Sequence, residues 1–265
     1  VTRSAADELP LAPEGADRVS SLDEVRAALE RGDHATVLLL TERILAARPG
    51  DDAAHEFRAR SLLALDRLDE AERHAADAVR LDPEEIRYRE LWAQILSRRG
   101  SHRDAAAEYG RLARNDPGEA TWTLAEARER IDASQARLGA EAARRAVQLE
   151  PDNGQAQLAL AKALTRTGDA SGAYRAAVRA TELLPGDVVA REALADALWL
   201  ADDGAAAFAE FRALAAELTG RPRARTAAKA RRIYRQQAGW PGRAVAAIGP
   251  LFRLALDRGW VHVAR

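Results

Sequence analysis

Pro49, Pro83, Pro117, Pro151 and Pro185 fall on a strict 34-residue beat. Proline lacks a backbone N–H and its ring collides with the preceding helical turn, so proline at a constant interval marks the same helix end again and again. A fixed period between about 20 and 50 residues is the mark of a stacked-repeat architecture. In such an array each unit packs only on its neighbours, so the usual conversion of 265 residues into one or two globular domains does not apply.

Counting back from each proline aligns five units: 18–51, 52–85, 86–119, 120–153 and 154–187. A sixth, 188–221, keeps the apolar pattern but has Thr219 where proline is expected. Each unit holds two apolar-periodic stretches of helical length around a short turn, such as RGDH (31–34), RTGDA (166–170) and LADDG (200–204). Position 8 of units two to six is Ala59, Ala93, Ala127, Ala161 and Ala195; position 20 is Ala71, Ala105, Gly139, Ala173 and Ala207. Two helices that cross closely need a small side chain at the crossing, and a repeated crossing repeats the need. Leu62, Trp92, Leu96, Leu160, Leu164, Leu194 and Leu198 fill the space between. The expectation is all-α: one antiparallel helix pair per unit and no strands.

This pattern resembles the tetratricopeptide repeat (TPR) family, whose unit has small residues at positions 8, 20 and 27, a Gly-Asp turn, and proline at position 32. AERHAADAVRLDPEE (71–85), AEAARRAVQLEPDN (140–153) and LAKALTRTGDASGAYRAAVRATELLPGD (160–187) carry the likeness, which spans 18–221. The first unit departs, with Val25 and Val37 at small positions, and the fourth has Ser134 for its turn glycine. The resemblance implies a right-handed α-solenoid of about six repeats plus a degenerate C-terminal unit. It also implies that the first helix of each pair lines a concave groove holding an extended peptide or a helix of a protein partner.

Residues 34 apart form columns along that groove. Position 9 reads Arg26, Arg60, Gln94, Arg128, Lys162, Asp196, and position 13 includes Arg98 and Arg166. Position 12 is largely apolar, with Leu29, Leu63, Ile131 and Trp199. A donor-rich strip beside an apolar one suits an acidic or C-terminal peptide, since guanidinium forks grip carboxylates while leucine-type contacts supply burial. The expected groove residues are therefore Arg60, Gln94, Arg98, Arg128, Lys162 and Arg166, with Trp199 as apolar anchor. The competing reading is solvated surface charge, because Glu56 sits at helical ion-pair spacing from Arg60. The family's carboxylate clamp needs asparagines on successive first helices; Asn115 and Asn153 are the only ones, and both fall between repeats.

No site for catalysis, cofactor or metal is expected. The chain has no cysteine, which removes disulfides, zinc thiolates and thiol nucleophiles. His34, His55, His74, His102 and His262 show no ligand spacing such as His-x-x-x-His, and no phosphate-cradling glycine loop exists. Trp92 and Trp122 fall at inward positions and read as core.

Charge is uneven. The formal net charge is −1, yet residues 221–265 hold eleven Lys or Arg against one acid, Asp257. Such asymmetry marks an interaction segment. Residues 219–240 read as a basic helix, the first helix of a seventh, degenerate unit. In 243–260, Val245, Ile248, Leu251, Phe252 and Leu256 share a face opposite Arg243, Arg253, Asp257 and Arg258. This segment, 222–265, either caps the stack or lies on an anionic membrane, with Arg231, Arg232, Arg235, Arg243 and Arg253 as its basic surface. RNA is a weaker alternative. Residues 1–17, with Pro, Gly and charge and no periodicity, read as a flexible leader.

Only Lys162 and Lys229 among 40 basic residues are lysine, which with abundant alanine suits a GC-rich bacterial genome. No signal peptide and no spanning run is visible, so the expectation is a cytoplasmic scaffold for protein–protein interaction. The alternative is a peripheral membrane adaptor. The sequence does not speak to oligomeric state.

Overall fold

Helices begin at His34, Leu68, His102, Ala136, Ala170 and Gly204, and at Asp52, Ile86, Ala120, Gly154 and Val188, each series stepping by 34 residues. The computed structural model describes residues 14–238, with side chains from 22 to 236. Within that span the protein is all-α, with thirteen helices and no strand. It is a helical-repeat solenoid whose chain divides between Asn115 and Asp116 into two compact units.

The first unit contains α1 (Glu14–Glu30), α2 (His34–Ala47), α3 (Asp52–Ala64), α4 (Leu68–Leu81), α5 (Ile86–Arg99) and α6 (His102–Asn115). The second contains α7 (Ala120–Asp132), α8 (Ala136–Leu149), α9 (Gly154–Thr167), α10 (Ala170–Leu183), α11 (Val188–Leu200), α12 (Gly204–Glu217) and α13 (Gly220–Ala238). Consecutive helices pack against each other inside each unit. The first helices of successive pairs also meet, α1 with α3 and α3 with α5 in one unit, α7 with α9 and α9 with α11 in the other. Within each unit the first helices therefore form one layer.

The small-residue columns explain this closeness. The alanines at positions 8 and 20 named above are all 0% exposed. At Gly139 a methyl group would stand 2.9 Å from Ile131 Cγ1 and 3.3 Å from the Ala127 carbonyl oxygen, so the α7–α8 crossing has no room even for alanine without movement. Leu62, Ile95 and Leu112 in the first unit and Phe211 and Leu214 in the second are fully buried between these crossings. Each contributes on the order of 1.5–3 kcal/mol of hydrophobic free energy. Val25 and Val37 are fully buried too, so the first pair accommodates the bulkier residues at its small positions.

Turns are fixed by side chains that satisfy the free amides of the next helix. Asp33, Asp169 and Asp203 accept from Thr36, Gly172 and Ala206 amides before the second helices; Asp51, Asn153 and Asp187 do the same for Ala54, Ala156 and Ala190 before the first helices. Position 15, inside each pair, is left-handed six times. Gly32, Gly100 and Gly168 occupy it in the odd repeats, with φ of 71°, 83° and 86°. Asp66, Ser134 and Asp202 occupy it in the even repeats, with φ of 59°, 61° and 63°.

The prolines do more than end helices. The side chain at position 4 reaches back six residues to the proline carbonyl: His55 Nε2 to Pro49 (3.0 Å), Arg89 to Pro83 (3.1 Å) and Gln157 to Pro151 (3.2 Å). Position 4 also pairs across the helix turn with position 23, as Arg89–Glu108 (2.8 Å) and Arg191–Glu210 (3.2 Å).

Helix α13 seats Thr226, Ala230 and Ile233 inward, in a cluster with Phe208 and Phe211 of α12. Thr226 Oγ1 donates to Glu192 (2.8 Å), and Lys229 pairs with Asp196 (2.9 Å), both on α11. The amphipathic stretch 243–260, with Arg243 and Arg253, lies outside the described residues, as does most of the leader; α1 begins at Glu14, inside the segment expected to be flexible.

Candidate functional site

Each unit carries a concavity on its layer of first helices. In the first unit, Leu29, Leu63 and Leu91 supply apolar wall, and Arg60, Arg87 and Arg98 surround it with Gln94, Glu90 and His34. The space is about 470 Å³. In the second unit, Ile131, Leu158 and Val189 stand beside Arg128, Lys162, Gln155, Asp132 and Asp187 around about 380 Å³. Both use repeat positions 2, 5, 9, 12 and 13. On a helix, positions 2, 5 and 9 share a face, and that face turns toward positions 9, 12 and 13 of the preceding repeat.

The cations are held but reachable. Arg60 Nε lies 2.5 Å from Glu56 Oε1, with the arginine 43% and the glutamate 4% exposed. Burial raises the Glu56 carboxyl above its ordinary value, and Arg60 opposes that only in part. Arg98 pairs loosely with Asp66 at 3.3 Å, and Gln94 donates to Glu90 at 3.0 Å. Arg87 pairs with Glu85 at 3.0 Å. In the second unit, Arg128 donates to Gln155 (2.7 Å). The Lys162 ammonium is lowered from its ordinary value by desolvation, against the pull of Asp132 and Asp187.

Five expected groove residues therefore line concavities, as two sets: Arg60, Gln94 and Arg98 in one unit, Arg128 and Lys162 in the other. Two differ from expectation. Arg166 turns its guanidinium onto the Ile131 carbonyl of α7 and acts as a brace between first helices. Trp199 packs against the cluster of Phe208, Phe211, Ala230 and Ile233 and lines neither concavity, because α13 covers the surface where an anchor would stand. Trp92 packs on two inner clusters. Arg231, Arg232 and Arg235 are exposed on α13.

Arg87, Glu90, Leu91, Gln155, Leu158 and Val189 were missed, although they stand three, four or seven residues before position 9 on the same helix. The structure also brings together residues that no linear spacing joins. His55 Nδ1 is 3.0 Å from His74 Nδ1 and 3.9 Å from Asp77 Oδ2. Arg58 Nε donates to His74 Nε2 at 3.1 Å. Burial, then His55 and Arg58, push His74 down to about 4, so that ring is neutral near pH 7.

No helix among the described residues is long and apolar enough to cross a membrane. No curated protein sequence matches the chain. Among solved structures, it is similar to a tetratricopeptide repeat protein from Parabacteroides merdae, at 14% identity and TM-score 0.64 over 89% of this chain and 98% of that one. It is also similar to YrrB, described as a TPR protein with an unusual peptide-binding site (15%, 0.57, 71% and 97%). A third similar structure is MamA from Desulfovibrio magneticus (16%, 0.55, 62% and 91%). These likenesses show the fold. Residues 28–95 match the tetratricopeptide repeat family model, and the 34-residue helix spacing of that stretch runs through both units.

Proposed function

We propose that this protein is a non-catalytic scaffold that holds an extended peptide or helix of a partner protein on its first-helix layer. Tetratricopeptide repeats mediate protein–protein interaction, and the observation that carries the reading here is the recurrence of one lining at the same repeat positions in both units. In each, leucine-type surface is flanked by cations. In the first unit Arg60, Arg87 and Arg98 line the concavity with one acid, Glu90, while their own partners Glu56, Glu85 and Asp66 stand outside the lining, and this favours a partner segment with carboxylates. The second unit balances Arg128 and Lys162 with Asp132 and Asp187 and favours a mixed or polar segment.

The test is a peptide library of varied charge, read by fluorescence anisotropy against the wild type, Arg60→Glu/Arg98→Glu and Arg128→Glu/Lys162→Glu. Acidic peptides should bind the wild type and lose affinity in the first double variant. Unchanged binding in both variants overturns the reading.

A second reading, a peripheral membrane adaptor, is favoured by α13. Arg221, Arg225, Arg231, Arg232 and Arg235 are exposed, opposite its buried Thr226, Ala230 and Ile233, and none pairs with a carboxylate of the described residues. Basic residues near an anionic bilayer are worth about 1 kcal/mol each. Co-sedimentation with phosphatidylglycerol vesicles should fall on changing these five to glutamine; equal sedimentation removes the lipid reading.

A further inference from the structure

Positions 4, 23 and 26 form a side-chain triad in successive repeats of the first unit, and its chemistry changes between them. In the third repeat the triad is Arg89, Glu108 and Arg111, in which two guanidinium groups hold one buried carboxylate at 2.8 and 2.5 Å. The same places in the second repeat are His55, His74 and Asp77. The cations are gone, and what remains is two imidazoles and a carboxylate whose ligand atoms all lie within 4.8 Å of one another. We infer that His55, His74 and Asp77 form a binding site for a divalent transition-metal ion of the zinc class.

The geometry suits such an ion. Zinc bound by nitrogen and oxygen at about 2.0–2.2 Å in a tetrahedron sets its ligand atoms about 3.3–3.6 Å apart. The two Nδ1 atoms stand 3.0 Å apart, and His55 Nδ1 and Asp77 Oδ2 3.9 Å apart. All three ligand atoms lie within 4.8 Å, so shifts of about an ångström close the set, and the side chain that moves most, Asp77, is 40% exposed and otherwise pairs only with the exposed Arg80 at 3.0 Å. Two nitrogens and one oxygen select zinc, nickel, cobalt or copper over magnesium and calcium, which prefer all-oxygen shells.

Hydrogen bonding fixes the rings. The Pro49 carbonyl can only accept, so His55 carries its proton on Nε2 and turns the Nδ1 lone pair toward the cluster. A backbone carbonyl behind a ligand histidine is the usual orienting partner in metal sites. Arg58 can only donate, so His74 accepts at Nε2 and holds its own proton on Nδ1, shared with His55. A bound ion takes the place of that shared proton. The proton moves to His74 Nε2, and Arg58 Nε withdraws while its other nitrogen stays on the Leu38 carbonyl at 2.8 Å. Arg58 thus opposes the ion both by charge and by occupying the nitrogen that must become a donor, and its removal should strengthen binding.

The experiment is titration calorimetry of the tag-free full chain with zinc chloride, with cobalt(II) absorption as a spectroscopic check. One ion should bind per chain with a tetrahedral cobalt band. Asp77→Ala, at a half-exposed side chain that leaves the fold in place, should weaken binding about 10–100-fold, and His74→Ala should abolish it. Arg58→Gln, which removes the charge and offers an amide oxygen to His74 Nε2, should tighten it about tenfold. Circular dichroism shows that each variant is folded. Absence of zinc binding overturns the inference, as does binding that survives both His74→Ala and Asp77→Ala, or an Arg58→Gln variant that binds no better than the wild type.

Discussion

The triad of the third repeat offers a quantitative test of how this fold uses buried charge. Glu108 has a side chain 6% exposed and bonds Arg89, itself 13% exposed, and Arg111, 52% exposed. Glu108→Ala leaves Arg89 with the Pro83 carbonyl as its remaining hydrogen-bond acceptor. Stranding a buried charge costs about 3–5 kcal/mol, whereas the half-exposed Arg111 contact is worth at most about 1 kcal/mol. The fifth repeat shows how the same places work without charge: Gln157 and Ala176 occupy them, and Gln157 still reaches the Pro151 carbonyl. Arg89→Gln/Glu108→Ala copies that solution and should lie within about 1 kcal/mol of the wild type, a coupling of about 2–4 kcal/mol between the two sites. Urea unfolding followed by far-UV circular dichroism gives the global value. Hydrogen exchange of α5 and α6 amides localises it, since a repeat array need not unfold in two states. A single variant that costs under about 1 kcal/mol, or a double variant as unstable as the single, refutes the reasoning.

Three further outcomes follow from particular residues. Ser134 is exposed and left-handed at φ 61°, so Ser134→Gly should stabilise by about 0.5–1 kcal/mol in thermal unfolding once the strain is relieved against glycine's greater chain entropy. Glu56, raised by burial, holds its proton in the folded state over a window just above the ordinary glutamate range. Its contribution to stability is therefore full below that range and is lost as pH rises through the raised value. Glu56→Gln should erase this slope in urea midpoints measured from pH 4 to 7, and leave the variant at least as stable as wild type near neutrality. Trp199→Ala should destabilise α13's seat by about 3 kcal/mol while peptide affinity at the second-unit concavity stays unchanged, which separates core from anchor.

The proline beat made the helices legible, because backbone geometry at a helix end depends on local chemistry that recurs in the sequence. It also put Arg60, Gln94, Arg128 and Lys162 in one column, and the structure has them lining the two concavities. Position 2 was harder to read: Arg87 and Gln155 reach a concavity only because first helices pack side by side, which a single repeat does not reveal. Arg166 was misplaced for a related reason, its partner being a backbone oxygen 35 residues away. His55 and His74 lie 19 residues apart on two helices, so their meeting is a property of the hairpin and not of either helix.

The left-handed position carries a different rhythm from the prolines. Glycine fills it in the first, third and fifth repeats, and aspartate or serine in the second, fourth and sixth. The turn therefore has a period of 68 residues, twice that of the helix ends. By this measure the repeating unit is a doublet of helix pairs, one with a glycine hinge and one with a strained hinge. Deleting or transplanting a doublet preserves the alternation, while removing one pair sets like hinges side by side. Shuffled arrays cut at 68-residue boundaries are thus the natural starting point for shortening or lengthening this protein.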